Sequence, residues 1–390
     1  MKLAPLVGIA LAAAPVAADP LRLRADALAT TASPAGLLVL EADGALRSGM
    51  SAEAVVWMAG DRTSGEGASG DVLVIAVQAQ TKTGFARGKV GRFVSSLGAL
   101  RPVHVDGGAL RLRLPKRFDA EVFAGMPVSP AGFIDGRSWD WIAGGRVARR
   151  LGDYGSVGVG YAQRRDAGRL ATEELGLDAG AAIDKRHDLG ARLAYDLVTP
   201  GLAEVGVSAS RRTGGVRTEL YARHRSPSHL LPATSLFSVI GDVPSQRAGT
   251  VITWRAAPRL DLIADLAARR VDDEYGEELV GRARLRLDPR GASVVGGELR
   301  RSGGGLSAWT GVRALARIAL PHAFAIATEL ELVIPDEDRG RGGVWPWGLV
   351  ATTWERSDWQ AAVAVEASAS PEYRHRIDAL FQLSRRWSVK

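Results

Sequence analysis

The chain has 390 residues, 46% of them hydrophobic and 24% charged, with a formal net charge of +7 and a mean hydropathy of zero. It contains no cysteine, which excludes disulfides, thiolate metal sites and a cysteine nucleophile. Beyond the N-terminus no stretch approaches the roughly 20 uninterrupted apolar residues of a membrane helix.

Lys2 gives the N-terminus a positive start, Leu3 to Pro15 is uncharged and mostly apolar, and Val16-Ala17-Ala18 offers small residues before Asp19. This is the pattern of a secretory signal, so residues 1–18 are expected to be cleaved and 19–390 to form the mature chain. No cysteine precedes that start, which argues against a lipoprotein anchor. An exported, half-apolar chain without a membrane helix is either a secreted globule or a β-barrel.

The rest of the chain alternates apolar with charged or small residues in short runs punctuated by Gly, Pro, Asp and Ser. From Leu279 to Leu287, Arg282, Arg284 and Arg286 share one parity, while Ala283, Leu285 and Leu287 share the other. A strand sends successive side chains to opposite faces, so this is a strand with one greasy and one charged side. The pattern predicts twenty-two strands, at about 21–31, 36–46, 51–60, 71–82, 86–96, 108–115, 118–127, 138–149, 154–164, 170–182, 187–198, 202–211, 215–224, 247–256, 259–271, 275–287, 291–301, 306–319, 322–334, 344–355, 358–369 and 373–387. Counts of twenty or eighteen follow if hairpins are over-divided. The even-numbered connections are compact, as at Leu151-Gly152-Asp153, Thr213-Gly214 and Leu320-Pro321. The long ones fall on odd numbers, at 61–70, 97–107, 128–137, 225–246 and 335–343. The expected fold is all-β: a transmembrane antiparallel up-and-down β-barrel, with short periplasmic turns and long outer loops.

Tryptophans cluster near expected strand ends, at 139, 141, 254, 345, 347, 354, 359 and 387, as membrane-interface girdles require. In the last strand Ile377, Ala379, Phe381, Leu383 and Trp387 share one parity, and Arg374, Arg376, Asp378, Gln382 and Ser384 the other. That strand resembles the closing strand of Gram-negative outer-membrane β-barrels, although Ser388-Val389-Lys390 follows the final aromatic. The resemblance implies an integral outer-membrane location, assembly by the barrel assembly machinery, and contact with membrane lipid and lipopolysaccharide. Gly91-Arg92-Phe93 and His104-Val105-Asp106-Gly107 are weakly similar to porin-like and alginate-export-like barrels, and carry over no residue role.

Only six basic residues are lysine, which leaves 44 of the 50 as arginine. An exported chain without a nucleic-acid motif is expected to bind no nucleic acid. His224 and His229 lack the spacing and neighbouring glutamate of a metalloprotease, and no Gly-x-Ser-x-Gly elbow occurs. No enzyme activity, metal or cofactor is therefore expected. The acidic runs Asp336-Glu337-Asp338 and Asp272-Asp273-Glu274, the latter followed by Glu277 and Glu278, are expected to be solvated loop charges rather than a Ca²⁺ site.

The charged parity is the candidate site. Arg22, Arg24, Asp26, Arg111, Arg113, Arg192, Asp196, Arg217, Glu219, Arg223, Arg282, Arg284, Arg286, Arg313, Arg317, Glu329, Glu331, Arg374, Arg376 and Asp378 are expected to line a watery lumen, because each would cost about 2–4 kcal/mol against hydrocarbon at mid-depth. Fourteen arginines against six acids in that set favour a channel for hydrophilic, preferably anionic solutes. The alternatives are an export or assembly barrel for an anionic polysaccharide, and a structural or adhesive barrel with a filled interior. A barrel this wide needs narrowing by loops or a partner, and the apolar segment within 225–246 is the expected constriction.

Overall fold

The computed structural model describes residues 21–31, 35–61, 68–128, 140–226, 245–271, 274–304, 308–336, 343–369 and 375–389. The alternating segments form strands β1 (Leu21–Thr30), β2 (Ala35–Arg47), β3 (Met50–Asp61), β4 (Ala68–Gln80), β5 (Ala86–Ser95), β6 (Val103–Leu114), β7 (Phe118–Pro127) and β8 (Trp141–Leu151). They continue as β9 (Gly155–Asp166), β10 (Arg169–Ala182), β11 (His187–Asp196), β12 (Gly201–Thr213), β13 (Val216–Arg225), β14 (Ser245–Ala257) and β15 (Leu260–Val271). The last are β16 (Glu274–Arg286), β17 (Val294–Ser302), β18 (Trp309–Ala319), β19 (Phe324–Pro335), β20 (Trp345–Arg356), β21 (Trp359–Ser368) and β22 (Arg376–Val389).

Each strand pairs antiparallel with the next, and β22 returns to β1 in register from Val389 opposite Leu21 to Leu380 opposite Thr30. Closure joins the first strand to the last, so neither end of the sheet is left open, which is what lets backbone polar groups cross hydrocarbon. The protein is a closed 22-stranded up-and-down barrel, and all twenty-two expected strands are present. Ser388 and Val389, beyond the final aromatic, extend the closing ladder opposite Arg22 and Leu21.

The largest boundary shift is in β6, which begins at Val103 rather than near 108. His104 and Asp106 break the apolar parity there and Gly107-Gly108 follows, so the sequence looks like a loop. The two ends differ in connection length: at the end holding 48–49, 115–117, 214–215, 258–259 and 357–358 no connection exceeds seven residues, whereas the strands flanking 128–140, 226–244 and 336–344 meet the other end, which also holds the two-residue connection 167–168. Two short ones, Pro115–Arg117 and Pro321–Ala323, are single 3-10 turns opened by proline. Its missing N–H costs nothing at that position.

The registers keep the two parities apart around the whole circumference. One row runs from Arg22 through Asp43, Glu53, Ala76, Gly91, Gly107, Gly125 and Ile142 to Arg164 without changing face. One face is charged and small; the other is aliphatic and largely uncovered, as at Leu330 (64% exposed) and Val350 (55%). So much contiguous apolar area suits lipid rather than water.

Aromatics bound the apolar face. Phe118, Trp254, Phe324, Trp354, Trp359 and Trp387 lie toward the short-connection end, and Trp141, Tyr195 and Tyr275 toward the other. Arginines cover several of these rings, with Arg385 4.8 Å from the Trp359 centroid and Arg270 5.2 Å from that of Tyr275. Trp345 and Trp347 depart from the girdle expectation. Their registers place them with Val333 and Glu331 on the charged face, because a strand-end position does not by itself fix parity. Trp139 lies outside the described residues.

Candidate functional site

The charged face carries every expected site residue that the structure describes; Arg374 lies outside the described residues. Arg192 pairs with Glu204, Arg282 with Glu298, Arg313 with Glu329, and Arg376 with Asp378. Arg286 meets Asp261 at 2.5 Å, Arg217 meets Glu219 at 3.2 Å, Arg24 meets Asp26 at 2.7 Å and Arg22 meets Asp43 at 2.5 Å. Glu331 lies 3.8 Å from Arg300. Asp196 accepts the Val198 and Thr199 backbone N–H groups at 2.8 and 3.0 Å. Arg223 lies over the Tyr221 ring at 5.8 Å. Arg111 reaches Asp119 only at 3.9 Å, and Arg113, Arg284 and Arg317 have no carboxylate within 4 Å among the described residues.

Sequence reasoning passed over several members of this face. Arg146 binds Asp178 with Nε at 2.9 Å, and Arg247 holds both Asp265 and Glu278 at 2.9 Å. Glu298 takes both Arg282 and Arg300. Each sits at the right parity, so the signal was present in the alternation.

The most unusual local geometry lies between β4 and β5. Their ladder runs from Gln80 opposite Arg87 to Ile75 opposite Arg92 and stops, although both strands continue. β5 and β6 stay paired up to Ser95 opposite Val103, so residues 92–106 leave β4 together as a hairpin. Gly91 makes the bend: its φ is +128°, and a Cβ there would lie 2.1 Å from the Ile75 carbonyl oxygen. A Cβ on Gly107, its register partner, would lie 2.1 Å from the Ala124 oxygen.

The hairpin tip packs on the charged face of β7 to β10. Phe93, Leu97, Leu100 and Val105 bury themselves with Ala76, Phe123 and Ile142. Leu100 sits where side chains on Gly160 and Gly176 would be, with its methyls 3.1 and 3.0 Å from those Cβ positions. Arg101 forms an ion pair with Glu174, both almost fully buried. The β4 edge left behind is capped by side chains: Arg92 Nη1 donates to the Val72 carbonyl at 2.8 Å, and His104 Nε2 to that of Leu73 at 2.6 Å. Arg92 also binds Asp106 at 2.7 and 2.9 Å and Asp71 at 3.0 Å.

The expected constriction within 225–246 lies, for residues 227–244, outside the described residues, and so does His229. Among the described residues the two acidic runs meet at one guanidinium, that of Arg301. Glu278 belongs to the charged face, Glu277 lies 3.6 Å from Arg301, and Asp336 takes Arg301 in a two-point bond with Nη2 at 2.5 Å. That guanidinium holds the Asp336 carboxyl below its usual range. Asp272, Asp273, Glu337 and Asp338 lie outside the described residues.

No family model matches the chain, and no curated protein matches its sequence. Solved structures do. The P pilus usher PapC translocation pore is 9% identical over 96% of this chain and 100% of its own, with a TM-score of 0.55. A chain of the E. coli P pilus tip assembly intermediate PapC-PapD-PapK-PapG gives a TM-score of 0.58 at 10% identity, over 95% of this chain and 61% of that one. A mutant of the ferric enterobactin receptor PfeA from Pseudomonas aeruginosa also gives 0.58, at 9% identity, over 95% and 81% of the two chains. The fold is therefore that of the outer-membrane β-barrels of Gram-negative bacteria.

Proposed function

We propose that this protein is a non-enzymatic outer-membrane channel for hydrophilic, preferably anionic solutes, with the charged face lining an aqueous lumen and the apolar face meeting lipid. The observation that carries this reading is that the charged residues away from the strand ends keep to one side of a closed barrel in every ladder around it. In a membrane only the inside can hydrate those groups. The mature chain begins at Asp19, the closing strand engages the barrel assembly machinery, and Arg165 and Arg270 at the long-connection end meet lipopolysaccharide phosphates.

The hairpin of residues 92–106 narrows the lumen toward the long-connection end, which faces outward. Arginines along the wall attract anions, and facing acids give a transverse field that orients solutes as they pass. The test is single-channel recording of the refolded protein under a potassium chloride gradient. The expected result is discrete conductance with a reversal potential on the chloride side; a barrel that never conducts would be structural instead.

A further inference from the structure

Guanidinium pairing on the charged face is unequal between the two ends of the barrel. Toward the long connections, arginines sit in short ion pairs: Arg247 with Asp265 and Glu278, Arg269 with Glu278 at 3.2 Å, Arg300 with Glu298, and Arg164 with Asp166 at 2.7 Å. Toward the short connections the pairing is incomplete, although Arg22 takes Asp43 at 2.5 Å, Lys89 takes Glu53 at 2.5 Å and Arg217 takes Glu219 at 3.2 Å. Arg111 and Arg150 share Asp119 at 3.9 and 3.6 Å, and Arg255 reaches Asp261 at 3.5 Å while Arg286 takes the same carboxylate. Arg113, Arg212, Arg284 and Arg317 have no carboxylate within 4 Å among the described residues, and Arg87 has only the Gln80 amide oxygen at 3.2 Å.

Three ladders there set arginines directly opposite: Arg87 faces Arg111, Arg212 faces Arg217, and Arg24 faces Arg386, the last with Asp26 against Arg24 at 2.7 Å. Such pairs oppose folding. The Arg223–Arg247–Arg269 row at the other end differs, because Asp265 and Glu278 lie among its guanidiniums. Directly opposed residues have Cβ atoms about 4.5–5.5 Å apart. At that spacing two guanidinium forks can close on the oxygens of a single doubly charged group.

We propose that the short-connection mouth is a capture site for phosphate-type polyanions, built from Arg87, Arg111, Arg113, Arg212 and Arg217, and that it rather than the hairpin sets charge selectivity. The proposal rests on the channel reading above and adds the substrate class and the end at which selection occurs. A polyanion enters from the periplasmic side, bridges guanidinium pairs, and moves on toward the far end, where Arg247, Arg269 and Arg300 already hold carboxylates.

The test is a planar bilayer with sidedness fixed by a biotin tag engineered between residues 167 and 168, using inorganic tripolyphosphate as probe. Block of chloride current is expected at least tenfold more potently from the short-connection side. Arg212→Gln alone should weaken it severalfold, and the combined Arg87→Gln, Arg113→Gln, Arg212→Gln, Arg217→Gln variant at least tenfold, in protein whose folded band retains its heat-modifiability. A cation-selective wild type would overturn the channel reading itself. An anion-selective wild type blocked equally from both sides, or sided block unchanged in folded single and combined variants, would overturn the capture site alone.

Discussion

Arg101, at the tip between β5 and β6, forms an ion pair with Glu174 on β10, and only 9% and 4% of the two side chains remain exposed. Charges so buried need their countercharges, and removing one member of this pair weakens the burial of the other. Glu174→Gln should therefore cost the docked hairpin about 3–5 kcal/mol. The barrel should still form, because no strand pairing depends on this contact. The readout is single-channel current, expected to rise and to flicker as the hairpin leaves the lumen; steady wild-type current would mean that the hairpin does not narrow the path.

Gly91 gives a second handle on the same element. At φ +128° a side chain is strained, and its Cβ would meet the Ile75 carbonyl. Gly91→Ala should destabilise the bend by about 1–3 kcal/mol. Limited proteolysis within residues 96–102 should then become fast relative to the wild type.

The inside–outside assignment can be tested at mid-depth by adjacent residues of β20. Val350 lies on the apolar face opposite Thr328 and Val365, whereas Ala351 lies on the charged face between Ala327 and Ala364. Val350→Arg should cost about 2–4 kcal/mol in folding into bilayers, and Ala351→Arg close to nothing. Leu285, although on the apolar face, sits one residue from the end of β16 and is a poorer probe. Equal folding yields for the two β20 variants would invert or abolish the assignment.

Acid should loosen one short turn before the wall. Asp288 accepts the Ser293, Arg290 and Ala292 N–H groups at 2.5, 2.8 and 3.2 Å, and these bonds, that from Ser293 foremost, hold its carboxyl below the ordinary range. A depressed carboxyl contributes order that is complete above its unfolded-state value and is lost as pH falls through its folded-state value. Backbone amide exchange at residues 290–293 should accelerate only as the pH drops below that of an ordinary carboxylate. In Asp288→Ala it should be fast at all pH values.

Strand number and facing were legible because both follow from a period of two: Ile377, Phe381 and Trp387 against Arg376, Asp378 and Ser384 give the faces of β22 directly. The hairpin was not legible. Arg92, His104 and Asp106 break the apolar parity, and a broken pattern marks where a ladder ends without saying where the chain goes next. Trp345 and Trp347 misled for a related reason, since depth along a strand and side of the sheet are independent. Pairing was hidden too, because Asp178 finds Arg146 two strands away, and Glu298 takes Arg282 from the neighbouring strand as well as Arg300 on its own.

The interrupted ladder between β4 and β5 also bears on how the cylinder fails. Six residue pairs join those strands, against ten across the joint where the chain's two ends meet. That terminal joint carries a further buried lock, Ser384 donating to Asp26. Under force or detergent, the tear is expected to start inside the first quarter of the polypeptide, unzipping β4 from β5, while the first and last strands remain seamed together.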